Sequence, residues 1–427
     1  MLLVVWMNGK NVGAWSKRRG VDEFQYTDEW AYTEDSIPLS LSLPILPGNP
    51  PHKGKAVANF FGNLLPDNLE IRSRLVAIFK ANSSSTFDLL AALGHDCAGA
   101  VQLLEEGRIP SNLQSLSYEV LGNEQVANII RATTTSPRVA IAGEQEKTAL
   151  LKYDGQWCKP LDSTPTTHIL KPSMGSVGVF KGDMSKSVEN EWLCSKIVAA
   201  FGLKVAHCEI EELNEQKVLA VERFDRKLVT SSDGNAWVER FHQEDLCQAL
   251  GFPSRQKYQN EGGPCIASCM SVLSSSTTSR IDMVDFFKSQ LIFWLLMAPD
   301  AHAKNFSIFH HSRGGYQMTP LYDILSASHL IGNKNSQIPY QNAKMAMAIR
   351  SSRNYYHFRK ITRGRFIRQA TQAGIPVCKA EGIIDETVES VEKVIAKVEA
   401  MLPVNFPEEL ASAIFTMMQS QAQKLQA

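Results

Sequence analysis

The sequence predicts an α+β chain in which a β-rich lobe is followed by a mainly helical lobe, with a small α+β subdomain in front. Three patterns carry this: short apolar runs at hairpin spacing between residues 138 and 224, helical periodicity beyond about residue 240, and a separate strand-then-helix pattern ending near Gly107. The corresponding divisions are 1–107, 108–225 and 226–427, since 427 residues exceed one compact core.

The first subdomain opens with "LLVVWMNGKNVGAW", an apolar run, an Asn-Gly hairpin signal and a second strand. A Pro/Gly-rich loop follows, then a helical stretch from Val57 to Phe79 broken at Pro66, a helix at "STFDLLAAL" with Ser85 as N-cap, and a strand at "GAVQLL". In the β-rich lobe, "RVAIAGEQEKTALLKY", "GQWCKP", "THILKP", "VAHCEIEEL" and "KVLAVERF" read as five strands of an antiparallel sheet. Between the third and fourth, "SVENEWLCSKIVAAFGL" reads as one helix ending at Gly202. Within the helical lobe, "NFSIFHHSRGGYQMTPLYDIL" stands out as strand, Gly-Gly turn, strand.

Lys plus Arg and Asp plus Glu both number 44, which excludes a bulk polyelectrolyte and limits any nucleic-acid contact to a local patch. The start has no basic region before its apolar run, and no run approaches the roughly 20 apolar residues that span a bilayer, so a cytoplasmic protein without a membrane partner is expected. The eight cysteines are scattered; Cys265 and Cys269 lack the second pair that a zinc site needs.

The stretch "FWLLMAPDAHAKNFSIF" sets Asp300, His302, Lys304 and Asn305 between apolar flanks, and a buried carboxylate is costly unless paired or metal-bound. A β-rich lobe before a helical one is the order of a bilobal kinase, whose catalytic loop spaces Asp and Asn as D-x-x-x-x-N. Asp300 and Asn305 have that spacing, and the next hairpin ends at Asp323, a second metal-binding carboxylate in that scheme. Lys171, at the end of "THILK", and Glu191, on the edge of the helix's apolar face, are the candidates for the phosphate-binding lysine and its partner. Glu222, Arg223 and Phe224 follow a strand where backbone groups would meet an adenine. A turn at Ala142, Gly143, Glu144 and Gln145 is the candidate anion nest, although it matches no glycine-rich phosphate motif. Each residue alone has an ordinary reading as a cap, a solvated strand end or a helix face.

Taken together, "LSLPILPG", "FFGNLLPDN", "AGEQEKTALL", "PTTHILKP", "NEWLCSKIVAAFGL", "LAVERFDR", "QEDLCQALG", "DAHAKNFSIF" and "MTPLYDIL" resemble the HipA family of serine/threonine kinases, toxins of bacterial toxin–antitoxin pairs, from about residue 3 to the last helices. The resemblance implies ATP and Mg²⁺ as cofactors. It makes Asp300 the catalytic base, Asn305 and Asp323 the metal ligands, and Lys171 the ATP-phosphate partner. It places His302, Tyr322 and Glu222 to Phe224 on the ATP side. It also implies a HipB-like helix-turn-helix antitoxin dimer that carries the toxin to operator DNA, and glutamate–tRNA ligase as the phosphorylated target.

In the family, the strand before the phosphate loop carries a serine whose autophosphorylation silences the kinase. Here Ala140 occupies that place, and Ala301 replaces a common glycine. Either the serine has been deliberately removed, or Ser136 or Thr148 takes its role. From Arg350 to Arg368 the chain holds seven Lys/Arg and no acid. This reads as the solvated face of a helix pair, or as phosphate contacts from Arg359, Lys360, Arg363 and Arg365 when the antitoxin complex sits on its operator. The interleaved Tyr355, Tyr356 and Phe358 fit core packing. The rival functions are a catalytically quiet corepressor scaffold and a small-molecule kinase with the same Asp/Asn logic.

Overall fold

A computed structural model describes residues 2–111, 113–133, 145–175, 182–334 and 337–426. Ser136, Ala140, Ala142, Gly143 and Glu144 lie outside the described residues. The chain forms two compact units, one of Met1–Pro172, Glu211–Arg255 and Ser307–Tyr316, the other of Ser173–Ile210, Gln256–Phe306 and Gln317–Ala427.

The first unit begins with strands β1 (Leu2–Met7), β2 (Lys10–Arg18), β3 (Val21–Tyr26), β4 (His52–Lys53) and β5 (Val101–Glu105), ordered β4-β3-β2-β1-β5. Asn8 and Gly9 both take positive φ, at 44° and 80°, which is the turn their sequence predicts. The helices Lys55–Gly62 and Leu69–Phe79 flank Pro66, and the Ser85 side chain accepts from the Asp88 amide at the next helix start. Trp15 stacks on Phe61 at 4.0 Å in the core beneath this sheet.

A second sheet holds the five expected strands, β7 (Thr148–Tyr153), β8 (Gln156–Pro160), β9 (His168–Pro172), β10 (Cys208–Leu213) and β11 (Gln216–Glu222), and one more, β6 (Tyr118–Val120), in the order β10-β11-β9-β7-β8-β6. The sequence reading has no element between Gly107 and Thr133, where the structure has β6 and the helix Asn123–Thr133. That helix is polar overall, but Val126, Ile129 and Ile130 form a narrow stripe against Leu150, Leu170, Val218 and Ala220. In the β9–β11 register, Lys171 faces Leu219 and His168 faces Glu222.

Two buried polar clusters join the first sheet's subdomain to residues 223–248. In one, Arg223 donates to Asp225 (3.0 and 2.9 Å), Thr166 (2.9 Å) and the Cys97 carbonyl (2.8 Å), while Arg226 donates to Asp96 (3.0 Å) and Arg240 lies 3.7 Å from the same carboxylate. In the other, Glu244, 1% exposed, accepts from Ser40 Oγ (2.5 Å), the Leu41 amide (2.8 Å) and His310 Nε2 (2.8 Å). Burial alone would raise the Asp96 and Asp225 carboxyls, but the guanidiniums of Arg223 and Arg226 override it and hold both below the usual range.

The second unit is mainly helical. The helix Ser187–Ala200, expected within the β-rich lobe, belongs here, with the Trp192 ring 5.7 Å from Phe406. The long helix Ser279–Leu295 is buried along its last two turns, and the chain ends in the helices Arg363–Gln372, Val377–Glu389, Val391–Glu399 and Glu408–Gln426. The basic run departs from the expected helix pair. Its first part is the hairpin Lys344–Arg350 with Asn354–His357, and only its second part is helical. Among the described residues, no helix is long and apolar enough to cross a membrane.

Removing Asp96 leaves three guanidiniums with one carboxylate fewer, so Asp96→Ala is expected to cost about 3–5 kcal/mol in urea unfolding. Because the folded-state carboxyls of Asp96 and Asp225 titrate low, their contribution is complete above the unfolded value near ~4 and is lost as pH falls through the folded value. Stability measured below about pH 4 should therefore fall more steeply in the wild type than in Asp96→Ala.

Candidate functional site

The site begins where the helix Ser279–Leu295 stops. Leu296 caps it, Met297 turns to φ 52°, and the amides of Met297 and Ala298 donate back to Trp294 (3.2 Å) and Phe293 (2.9 Å). This is a Schellman closure with methionine where glycine is usual. Further donors reach the carbonyls of this end from side chains and one backbone amide. Leu296 accepts from Ser326 Oγ (2.6 Å) and Ser328 Oγ (3.2 Å), Trp294 accepts from Gln421 (3.3 Å), and Met297 accepts from the Ala327 amide (3.0 Å).

Beyond Pro299 the polar segment folds on itself. The His302 amide donates to the Asp300 carbonyl at 2.9 Å, the Asn305 amide to the His302 carbonyl at 3.0 Å, and Asn305 Nδ2 to the Asp300 carbonyl at 2.9 Å. The last bond points the Asn305 amide oxygen away from Asp300, where it can act as a ligand. His302 is 3% exposed, with Nε2 3.7 Å from Asp300 Oδ1, and the Tyr258 hydroxyl donates to the same oxygen. Lys304 is buried, and its carbonyl accepts from the Tyr322 hydroxyl at 3.0 Å.

Asp323 is reached through the expected strand, turn and strand, Ser307–His310 and Tyr316–Met318. Leu321 bridges Val205, its amide bonded to the Lys204 carbonyl at 2.8 Å, and Asp323 then takes φ 60°. Aspartate tolerates this left-handed conformation better than most residues, as Asp154 and Asp162 also do here. Asn190 then fixes the segment that leaves Asp323, donating to the Ser326 carbonyl and accepting from its amide, both at 2.8 Å. The helix carrying Glu191, the Asp300 segment and the Asp323 segment are thus tied together through Asn190, Ser326 and Leu296.

Asn305 and Asp323 offer an amide oxygen and a carboxylate, hard donors that fit Mg²⁺, which is usually held by one or two protein groups beside substrate phosphates. Among the described residues, no group of three or more His, Cys, Asp or Glu could hold a metal by itself.

The other candidates lie in the first unit, apart from Glu191, which is 3% exposed in the second. Lys171 is 5% exposed at the end of β9, where Gln145 Nε2 donates to the Pro172 carbonyl at 3.0 Å. Gln145 Oε1 is buried and has no hydrogen-bond partner among the described residues. Glu222 is exposed at the end of β11, and Phe224 packs edge-on to Phe309 with centroids 5.6 Å apart. Arg223 differs from its expected setting. Its guanidinium is committed to the buried cluster, its amide to the Thr167 carbonyl and its carbonyl to the Arg226 amide at 3.1 Å.

Thr148 is 1% exposed within β7, which leaves its hydroxyl inaccessible to a phosphoryl donor. In the basic run, Arg359 and Lys360 are exposed, Arg363 grips Asp385 at 2.6 and 3.0 Å, and Arg365 lies over the Tyr355 ring at 3.9 Å. Tyr355 and Phe358 are buried, as core packing requires. Sequence reasoning missed Tyr258 and Asn190. The Gly-Gly of "YQNEGGP" was the available signal for the first; nothing local marks the second.

Comparison with known proteins bears on the family and the fold. Residues 139–395 match the HipA-like C-terminal domain, and residues 3–104 match the HipA N-terminal domain. "Putative kinase Y4mE" of Sinorhizobium fredii is 33% identical over 411 residues, covering 92% of each chain. The "Serine/threonine-protein kinase toxin HipA" of Shewanella oneidensis is 28% identical over 324 residues, 70% of this chain and 69% of that one. The solved complex of Shewanella oneidensis HipA with HipB and its operator DNA has the same fold at a TM-score of 0.81 and 23% identity, covering 99% of this chain and 97% of that one. Two family models that together span most of the chain, and a relative 33% identical over 92% of it, mean that the protein belongs to the HipA family.

Proposed function

We propose that the chain is a serine/threonine protein kinase toxin that transfers the γ-phosphoryl group of ATP to a serine of a translation enzyme, glutamate–tRNA ligase, and so arrests growth. The observation that carries this reading is the Asp300 segment, with Asn305 Nδ2 bonded to the Asp300 carbonyl and the whole turn sealed to the segment that presents Asp323.

Asp300 accepts the hydrogen bond of the attacking serine hydroxyl and orients it. As the family likeness implies, Lys171 is assigned to the ATP phosphates and Glu191 to partnering it, while Gln145, Glu222 to Phe224, His302 and Tyr322 are assigned to the nucleotide and Ala142 to Glu144 to its phosphates. Asn305 and Asp323 would hold Mg²⁺, which when bound would supply charge neutralisation for the phosphates. The residues need little covalent chemistry, since positioning and charge neutralisation supply most of the barrier reduction.

The family likeness also supports a HipB-like antitoxin dimer as partner, operator DNA as the surface on which the pair represses its own operon, and a cytoplasmic setting. The divisions 1–107, 108–225 and 226–427 are proposed as its functional segments. Arg359 and Lys360 are the basic residues best placed for phosphate contacts, because Arg363 and Arg365 are already engaged.

Labelled ATP, Mg²⁺ and glutamate–tRNA ligase should give label on the ligase with the wild type, reduced by about 10²–10⁴-fold in Asp300→Asn. Equal label from both proteins would sink the kinase reading, and none from either would favour the corepressor scaffold. Position 140 cannot take phosphate as alanine, so the wild type should remain unmodified there, whereas Ala140→Ser should acquire a phosphate readable by peptide mass spectrometry.

A further inference from the structure

A base that must present one oxygen to a substrate hydroxyl needs its carboxylate held in a single orientation. The segment from Tyr258 to Gly263 is built to supply that hold. The Tyr258 carbonyl accepts from the amides of Glu261 and Gly263, both at 3.0 Å, and Gly262 takes φ 92°. A Cβ on Gly263 would fall 2.0 Å from the Gln256 carbonyl oxygen and 2.8 Å from that of Tyr258, so the loop closes only with glycine there. Gln259 Oε1 accepts from the Ala348 amide at 2.7 Å, pinning the loop to the strand Lys344–Arg350. From this support the Tyr258 hydroxyl donates to Asp300 Oδ1, and its ring meets His302 edge-on with centroids 5.0 Å apart.

We infer that Tyr258 is a positioning residue for the transfer reaction, one that orients the Asp300 carboxylate through its hydroxyl and sets His302 against the same oxygen through its ring. The inference rests on the kinase reading above. A carboxylate offers about four acceptor sites, so a fixed donor on Oδ1 orients the group and leaves capacity for the serine hydroxyl. A small misplacement of a reacting group lowers the rate far more than it lowers binding, so the effect belongs in kcat.

The test uses the full chain, labelled ATP at varied concentration, and both glutamate–tRNA ligase and dephosphorylated casein as acceptors. Tyr258→Phe keeps the ring and loses the hydroxyl. It should lower kcat by about ten- to a hundredfold, as loss of a hydrogen bond to a charged group does, with KM for ATP within about twofold and the melting temperature unchanged. Gly263→Ala, which displaces the loop, should show the same kcat-selective loss and add nothing to Tyr258→Phe in the double variant. A wild-type kcat in Tyr258→Phe, a loss that tracks KM and melting temperature, or simple additivity would overturn the role of Tyr258 while leaving the kinase reading intact. No label on either acceptor from the wild type would overturn the kinase reading and the role of Tyr258 with it.

Discussion

The last carbonyls of a buried helix must find donors away from water, and in this chain that requirement organises the second unit. The helix Ser279–Leu295 ends among fully buried side chains, and an unmet carbonyl there would cost about 1–3 kcal/mol. The partners come from three directions: a left-handed Met297 folds the chain back, Ser326 and Ser328 close on Leu296, and Gln421 of the last helix closes on Trp294. Asp300 leaves this seal and Asp323 enters it, so the two carboxylates inherit their places from a backbone constraint. Asn190 extends the constraint to the helix of Glu191 by pairing both ways with the Ser326 backbone.

Where a residue's chemistry acts locally, the sequence was a good guide. Asn8-Gly9 makes the turn its φ tolerance implies, Ser85 caps the helix it precedes, and the strands at hairpin spacing pair antiparallel. The spacing of Asp300, Asn305 and Asp323 was visible because apolar flanks make polar residues conspicuous. The misses share a different cause, tertiary contact overriding local preference. "KMAMAIR" is rich in helix formers yet lies in a buried strand, and the polar Asn123–Thr133 segment is helical because a narrow apolar stripe meets a sheet formed far along the chain. The helix Ser187–Ala200 lies between strands in sequence, and beside its local contacts to Cys208 and Glu209 it meets Ser326 and Phe406, more than a hundred positions away.

Buried charge follows the same logic. Asp225 and Arg226 read locally as a polar turn after a strand, and Asp96 as a loop residue. Only the fold shows that Arg223, Arg226 and Arg240 share the two carboxylates. Paired in this way the ions are tolerable, and any one left alone would not be. The cluster also commits the Arg223 side chain to structure, away from the nucleotide role proposed for this segment.

That cluster ties the history of the chain to its charge balance. Residues 1–107 contribute one carboxylate, and residues 223–240 contribute three guanidiniums and the other carboxylate. A gene fragment lacking the N-terminal segment would encode a remainder with surplus positive charge in its interior. Three guanidiniums would then face one carboxylate instead of two, so the remainder would bury charge that only residues 1–107 can pair.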